Sequence, residues 1–182
     1  MNQMTAMDLR SAFAAESMSS IAYDVLAEKA LEEGFPNAAR LLRAIAFSEA
    51  MHAKRFFREL RDEAGRHAIT AMAGFGVRAT RDNLIQAIES EELIVEDMYA
   101  TYIRTAQAKG EQSAAECFEQ ASLTEKGHQQ LCRRVLDAID SGQDLPDDPF
   151  HVCQFCGNTL EGDVPRACPI CGADGGQFKT FD

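Results

Sequence analysis

Two short stretches, Glu49-Ala50-Met51-His52 and Glu125-Lys126-Gly127-His128, share the pattern Glu-x-x-His. Each follows a lone glutamate at nearly the same distance, because Glu16 lies 33 positions before the first stretch and Glu91 lies 34 positions before the second. A duplicated helical hairpin is the simplest origin of this order. Two helices with one glutamate each and two with Glu-x-x-His supply the ligands of a two-iron carboxylate site inside a four-helix bundle.

The first 142 residues predict four long helices, because helix-forming residues dominate and there is a single proline. Thr5 to Asp8 resembles a capping box for the first helix, with aspartate in place of the usual glutamate. A glycine and a proline after Glu33 separate the first helix from the second. We expect the helices to cover about Met7–Glu33, Pro36–Glu63, Arg81–Lys109 and Gln112–Asp140.

The segment between the second and third helices, residues 65–80, decides the connectivity. It is glycine-rich and irregular, and about 16 extended residues reach about 50 Å, whereas a helix of about 27 residues is about 40 Å long. The segment can therefore cross the whole bundle and join two antiparallel hairpins. The sequence thus predicts an all-α four-helix bundle with ferritin-like connectivity.

Both lone glutamates fall on predicted apolar faces. Glu16 shares a helix face with Phe13 and Tyr23, and Glu91 lies in an otherwise apolar stripe. That stripe consists of Leu84, Ile88, Glu91, Ile94 and Met98. A lone carboxylate in a core costs several kcal/mol unless it is neutralised or binds a cation. The alternative is that these glutamates belong to surface salt bridges.

Charge and geometry both favour two metal ions at these residues. Four carboxylates balance two divalent irons, and two of them can bridge metals about 3.5 to 4 Å apart. An imidazole supplies a terminal nitrogen to each iron. We expect Glu49 to bridge while His52 binds one metal, with Glu125 and His128 doing the same at the other.

Three tyrosines are candidates for supporting this site. Tyr23 and either Tyr99 or Tyr102 can donate hydrogen bonds to ligand carboxylates, which would orient them toward the metals. Amphipathic tyrosines of an ordinary core are the alternative for each of them.

The C-terminal tail carries the most specific local signal, two Cys-x-x-Cys pairs made by Cys153, Cys156, Cys168 and Cys171. A glycine after each pair lets backbone amides turn toward the sulfurs. Four thiolates form a tetrahedral site for iron or zinc, between which ligand type does not choose. So short a segment needs its metal for stability. We therefore predict a bundle at residues 1–142, a polar linker at 143–150 and a metal-knuckle domain at 151–182.

Composition excludes several other classes of function. A net charge of -11 disfavours nucleic acid and anionic membranes as partners. We find neither a signal peptide nor a membrane-spanning stretch, so we expect a cytoplasmic protein. Cys117 and Cys132 are interpreted as core residues, and His67 and His151 as solvent-exposed.

Together these residues resemble one family, the rubrerythrins, over nearly the whole chain. The matching stretches, in order, are Phe13-Ala14-Ala15-Glu16-Ser17, Glu49-Ala50-Met51-His52-Ala53-Lys54-Arg55, Asn83-Leu84-Ile85 with Glu91 and Met98-Tyr99, and the closing cysteine pairs. The resemblance implies a ferritin-like di-iron domain followed by a rubredoxin-like iron centre. It also implies homodimers in which the rubredoxin iron of one subunit lies near the di-iron site of the other. Members reduce hydrogen peroxide to water, with electrons that pass through rubredoxin from reduced pyridine nucleotide by way of partner reductases.

The chain departs from the family pattern at one important position. Peroxidase members carry an additional carboxylate one turn after the third-helix ligand, where this sequence has Ile94. Glu92 cannot replace it, because it points about 100° away around the helix. The predicted site keeps six protein ligands, as in ferritin-type centres. Asn158 also stands where an aromatic residue is common in the rubredoxin part.

The resemblance favours an oxidoreductase that reduces hydrogen peroxide. In it, Glu16, Glu49, His52, Glu91, Glu125 and His128 hold two irons, Tyr23 and Tyr99 support them, and the cysteines hold one iron or zinc. The absent carboxylate leaves open a ferroxidase or an oxygen-reducing protein in iron handling. A third reading is a non-enzymatic zinc-ribbon binding protein. The sequence does not identify the electron donor, which is a reductase or a rubredoxin.

Overall fold

A computed structural model describes all 182 residues as a helical bundle with a small C-terminal sheet. The helices are α1 (Gln3–Glu32), α2 (Pro36–Glu59), α3 (Thr80–Leu93), α4 (Ala100–Ala108) and α5 (Gln112–Asp140). A π-helical segment, Ile94–Tyr99, joins α3 to α4 without a break in helical backbone geometry. The predicted third helix is therefore one continuous rod, and the four-helix architecture is confirmed.

Two predicted helix ends are wrong. The first helix begins earlier than the expected Met7, because the Asn2 side chain accepts a hydrogen bond from the Met4 backbone N–H and caps the helix there. Thr5 consequently lies inside the helix and is buried, so the expected capping box does not form. The second helix ends at Glu59 rather than Glu63, and residues 60–79 form no regular helix or strand.

Three short antiparallel strands form the C-terminal sheet. They are β1 (Phe150–Cys153), β2 (Thr159–Glu161) and β3 (Phe178–Phe181), with β1 in the middle. Phe150 and Val152 of β1 are fully buried in the same hydrophobic cluster as apolar residues of α1, α2, α3 and α5. The tail therefore shares a core with the bundle.

The segment before β1 is more than the polar spacer that we expected. Leu145 is buried in the shared core, and the Asp144 carboxylate accepts hydrogen bonds from the backbone N–H groups of Asn37 and Ala38. These two donors open α2, whose preceding residue Phe35 offers no side-chain cap. The division at residues 142 and 150 stays a prediction.

Two hydrophobic clusters fill the bundle, and the predicted ligands lie between them. On α1, Ala12 belongs to one cluster and Tyr23 to the other, with Glu16 in between. On α5, Ala121 and Cys132 flank the second Glu-x-x-His in the same way. The two clusters thus hold the helix backbones on either side of the polar centre.

The remaining expectations are mixed. Cys117 and Cys132 are buried, as expected, and His67 is exposed. The expectation that His151 is solvent-exposed is wrong, because this residue lies on the central strand and is only 7% exposed. Its Nδ1 atom lies 3.0 Å from Thr180 Oγ1. None of the helices combines the length and the hydropathy that crossing a lipid bilayer requires.

Candidate metal centres

The bundle brings six predicted ligands into one buried cluster, and each is 3% exposed or less. They form two overlapping groups of four, in which the candidate ligand atoms lie within 4.8 Å of one another. The groups are Glu16, Glu49, His52 and Glu125, and Glu49, Glu91, Glu125 and His128. Glu49 and Glu125 belong to both groups.

The two shared carboxylates span the two histidines. His52 Nδ1 lies 3.1 Å from Glu49 Oε2 and 2.7 Å from Glu125 Oε1. His128 Nδ1 lies 3.0 Å from Glu49 Oε1 and 2.7 Å from Glu125 Oε2. Each carboxylate therefore directs one oxygen toward each imidazole, which is the arrangement of a bridging ligand. Glu16 completes the His52 side and Glu91 the His128 side.

Hydrogen bonds alone do not satisfy this donor set. A single N–H on Nδ1 cannot serve two carboxylate oxygens well, and Glu49 Oε1 and Glu125 Oε1 are buried without a hydrogen-bond partner. Buried carboxylate oxygens without partners are costly. One cation in each of the two ligand groups would satisfy these carboxylate oxygens. The oxygen and imidazole nitrogen ligands of both groups suit iron. The residues therefore fit a two-metal centre.

The pKa values in the cluster reflect the same excess of negative charge. Burial raises the pKa of Glu16 well above its usual range, and the charges of Glu49 and Glu125 raise it further. Burial also raises the pKa of Glu91, with Glu125 and Glu49 adding to the effect. Burial alone lowers the pKa of His128, but the two shared carboxylates outweigh it and raise the value to about 10. Without cations, the cluster must take up protons to balance its charge.

Two of the three candidate tyrosines contact ligands. The Tyr23 hydroxyl donates to Glu91 and the Tyr99 hydroxyl donates to Glu16, so each terminal carboxylate has one phenol partner. Burial raises the pKa of both tyrosines, which keeps the protons on the phenol oxygens. Tyr102 does not reach the cluster; it is half-buried and its ring packs against Phe118.

Ile94 begins the π segment, three residues after Glu91. It is half-buried against the apolar cluster around Phe118. The nearby acidic residues Glu92, Glu96 and Asp97 are exposed, and none joins the ligand groups. The candidate centre thus contains six possible protein ligands. No periodicity in the sequence indicated the π segment, although such segments often occur at functional sites.

The four tail cysteines also converge. Their sulfurs lie within 4.8 Å of one another, with Cys153 Sγ 3.7 Å from Cys171 Sγ and Cys156 Sγ 3.6 Å from Cys168 Sγ. A tetrahedron of sulfurs about 2.3 Å from a central metal has edges of about 3.8 Å. The cysteines therefore fit one metal ion, as predicted.

One face of the carboxylate cluster contacts the first cysteine knuckle. His52 Nε2 lies 3.0 Å from the carbonyl oxygen of Cys156, and Ser48 Oγ donates to the carbonyl oxygen of Gly157 at 2.6 Å. His128 Nε2 lies 3.1 Å from Thr159 Oγ1. Because Nδ1 of each histidine faces the carboxylates, Nε2 is the nitrogen left to reach the tail.

Gly157 is required at this junction for two reasons. Its φ of 81° favours glycine, and a Cβ there would lie 2.5 Å from both His52 Nε2 and Ser48 Oγ. The glycine after the cysteine pair was predicted, whereas no pattern in the sequence marked Ser48 or Thr159. The structure makes this contact within one chain, and the arrangement between two subunits that the resemblance implies stays a prediction.

Comparison with known proteins agrees with this site. A family model for rubrerythrin matches residues 8–136. Rubrerythrin-2 of Clostridium acetobutylicum is 36% identical over 180 residues, which cover 99% of this chain and 98% of the relative. Nigerythrin of Nitratidesulfovibrio vulgaris is 30% identical, with 96% of this chain and 85% of the relative covered.

The fold leads to the same group of proteins. The solved structure of fully reduced, all-ferrous nigerythrin matches with a TM-score of 0.87 and 29% identity, over 97% of this chain and 86% of that chain. The shared arrangement is a helical bundle followed by a small rubredoxin-like tail. The chain therefore belongs to the rubrerythrin family, a family of di-iron redox proteins.

Proposed function

We propose that this protein is a peroxidase that reduces hydrogen peroxide to water at a di-iron site, with electrons relayed from an iron bound by the four tail cysteines. The observation that carries the proposal is the contact between His52 Nε2 and the Cys156 carbonyl. It connects a residue of the carboxylate cluster with a residue of the cysteine cluster through one hydrogen bond. Such a contact gives electrons a short path between the two clusters.

In this proposal Glu49 and Glu125 would contribute to the binding of both irons. His52 and Glu16 would complete the ligand set of one iron, and His128 and Glu91 that of the other. When bound, the irons supply the electrons that cleave the O–O bond of the peroxide. Cys153, Cys156, Cys168 and Cys171 hold the third iron.

The protein's own groups orient the site and control its protons. Tyr99 Oη and Tyr23 Oη hold protons beside Glu16 and Glu91 and fix the orientation of the two carboxylates. Along the helices, the apolar clusters shield the ligands from water on both sides. The His52 N–H at Nε2 keeps Nδ1 directed toward the metal position.

A second candidate function, ferrous iron oxidation or oxygen reduction, is favoured by one observation. Ile94 supplies no fifth carboxylate, so a ligand exchange with a carboxylate at this position is not available. The remaining partners stay proposals: a reductase or rubredoxin as electron donor, and a homodimer in the cytoplasm.

The test is anaerobic rapid mixing of fully reduced, iron-loaded protein with hydrogen peroxide or with oxygen. We expect rapid appearance of the ferric-thiolate colour with peroxide and slow appearance with oxygen. Faster oxidation by oxygen, or di-iron oxidation with no colour from the cysteine centre, would contradict the peroxidase proposal and favour the second candidate.

A variant pair checks which residues hold the iron. Glu125→Ala removes a bridging ligand and should lose the di-iron centre and the activity while the cysteine centre keeps its colour. Glu116→Ala, an exposed glutamate on the same helix, is the matched control. Full activity in Glu125→Ala would rule out both di-iron functions.

A further inference from the structure

A cavity of about 690 Å³ lies beside the carboxylate cluster, between α1 on one side and α3, the π segment and α4 on the other. Residues 70–74 and Gly76 of the crossover segment form part of its wall. The cavity reaches Tyr23 and Glu91, which form the hydrogen-bonded pair at the edge of the candidate metal centre. It therefore adjoins the ligands themselves.

The cavity lies on a different side of the cluster from the cysteine knuckle. The contacts to the tail come from Ser48 and His52 on α2 and from His128 on α5. The cavity is lined by α1, α3, the π segment and α4, and by neither α2 nor α5. A molecule in the cavity could thus approach the centre while the tail stays docked.

The size of the cavity does not match hydrogen peroxide, which has only two heavy atoms. Cavities of about 300 to 1,000 Å³ are typical of sites for organic ligands. Apolar side chains such as Met18, Leu26, Ile94 and Met98 make up more than half of the lining. Among the polar lining residues, Tyr23 and Glu91 are buried, and Glu91 is a candidate metal ligand. This distribution suits a molecule with an apolar body and a small polar end.

Charge narrows the class of ligand further. No lysine, arginine or histidine lines the cavity, and its two charged residues, Glu91 and Asp97, are acidic. An anionic ligand such as a fatty acid would meet repulsion without a cationic partner. An anionic ligand is therefore disfavoured, and an uncharged organic molecule is compatible with this lining.

We propose that the cavity admits neutral, apolar organic hydroperoxides, ROOH, as substrates of the same centre; this inference rests on the proposed peroxidase function. The O–O bond breaks, two electrons come from the reduced irons, and two protons are taken up. The products are the alcohol ROH and one water molecule. Ile94 is a specificity residue in this scheme, because it extends the apolar wall next to Glu91.

Binding is tested without turnover, on full-length protein loaded with diamagnetic zinc. The probe is 2-phenyl-2-propanol, the alcohol formed from cumene hydroperoxide, and the readout is the NMR signals of methionine methyl groups. Met18 and Met98 line the cavity and should shift on titration, whereas the buried Met51 on α2 lies outside it and should not. No shift, or an equal shift at Met51, would overturn the proposed site.

A cavity-filling variant provides the second arm. Ala22 lines the cavity, and Ala22→Leu should abolish the methyl shifts and lower kcat/KM for cumene hydroperoxide about tenfold or more, with hydrogen peroxide affected much less. Ala108→Leu, an exposed position on α4 outside the cavity, is the matched control. Equal loss for both peroxides would overturn the inference.

The two proposals fail in different ways. Oxidation of the reduced protein by hydrogen peroxide but not by cumene hydroperoxide overturns the organic substrate and leaves the peroxidase function standing. Oxidation by neither peroxide overturns the peroxidase function, and the organic substrate with it. Rapid oxidation by both, with the cavity variant impaired only for the organic peroxide, supports both.

Discussion

His52 Nε2 and the carbonyl oxygen of Cys156 lie 3.0 Å apart and join the two candidate metal centres of one chain. Residues on both sides support the contact: Ser48 donates to the Gly157 carbonyl, and the Arg55 guanidinium lies 4.8 Å from the centroid of the Phe155 ring. The histidine thus has one ring nitrogen for each centre. In the proposed function this junction is the route of electron supply.

Gly157→Ala should slow electron transfer between the two centres by about tenfold or more, because a displacement of about 1 Å at such a contact has large kinetic effects. The new Cβ would lie 2.5 Å from His52 Nε2 and push the knuckle away. The measurement is the rate at which the reduced, cysteine-bound iron gains its ferric colour after peroxide is added.

Gly172→Ala is the control for this experiment. Gly172 also has a positive φ, 74°, after a cysteine pair, but a Cβ there would meet no atom within 4 Å. Both variants carry the backbone strain of an alanine in the left-handed region. If Gly172→Ala slows the reaction as much as Gly157→Ala, the effect arises from strain in the knuckles and not from the junction.

Tyr99→Phe should lower the rate of peroxide reduction about 10- to 100-fold, the range found when a partner of a metal ligand is removed. The variant keeps the ring packing against Phe56 and Phe118 but deletes the hydroxyl that donates to Glu16. Steady-state kinetics and iron content are measured together. Tyr102→Phe is the control, since that hydroxyl contacts no ligand, and a similar loss there would refute the assigned role.

Asp8→Asn should stabilise the protein at neutral pH. Burial raises the pKa of Asp8 to about 6, and its Oδ2 atom has no hydrogen-bond partner. The folded state therefore binds this proton more tightly than the unfolded chain, in which an aspartate has a pKa of about 3.9. The contribution of Asp8 to stability is complete below that value and is lost as the pH rises through about 6.

Urea unfolding at pH 5.0 and pH 7.5 checks this prediction. The difference in unfolding free energy between Asp8→Asn and the unmodified protein should be larger at the higher pH. Asp24→Asn, an exposed aspartate on the same helix, should show no such difference. A stabilisation that does not change with pH would disprove the assigned cause.

Asp144→Ala should destabilise the protein by about 1 kcal/mol, the usual cost of removing a helix cap. The carboxylate accepts hydrogen bonds from the Asn37 and Ala38 backbone N–H groups at 2.7 and 3.0 Å. Urea unfolding gives the change in free energy. The exposed Asp147, which pairs with Arg40, is the comparison, and Asp147→Ala should cost less.

Sequence patterns predicted the helices and the ligand cluster well, for physical reasons. Glu-x-x-His fixes both side chains on one helix face, and the repeated spacing of Glu16 and Glu91 fits the single cluster that the six residues form. The long crossover followed from chain length alone. The sequence did not reveal Asn2 as the cap of the first helix, because Thr5 and Asp8 offered an equally good capping pattern. In the structure Thr5 is buried inside the helix and does not act as a cap.

Contacts between distant segments could not be predicted in the same way. Ser48 and Thr159 have no distinctive local pattern, and their roles depend on how the tail docks onto α2 and α5. The π segment at Ile94–Tyr99 depends on the packing of one helix against its neighbours. The cavity depends on the distance between α1 and α3. This distance cannot be predicted from the sequence of either helix alone.

The shared core of tail and bundle has a consequence for how the protein comes apart. Leu145, Phe150 and Val152 cover apolar side chains of the helices. A chain cut after residue 142 would expose this apolar surface and is therefore expected to self-associate. The tail thus covers part of the apolar core of the bundle, and the protein should lose both metal centres in a single unfolding transition.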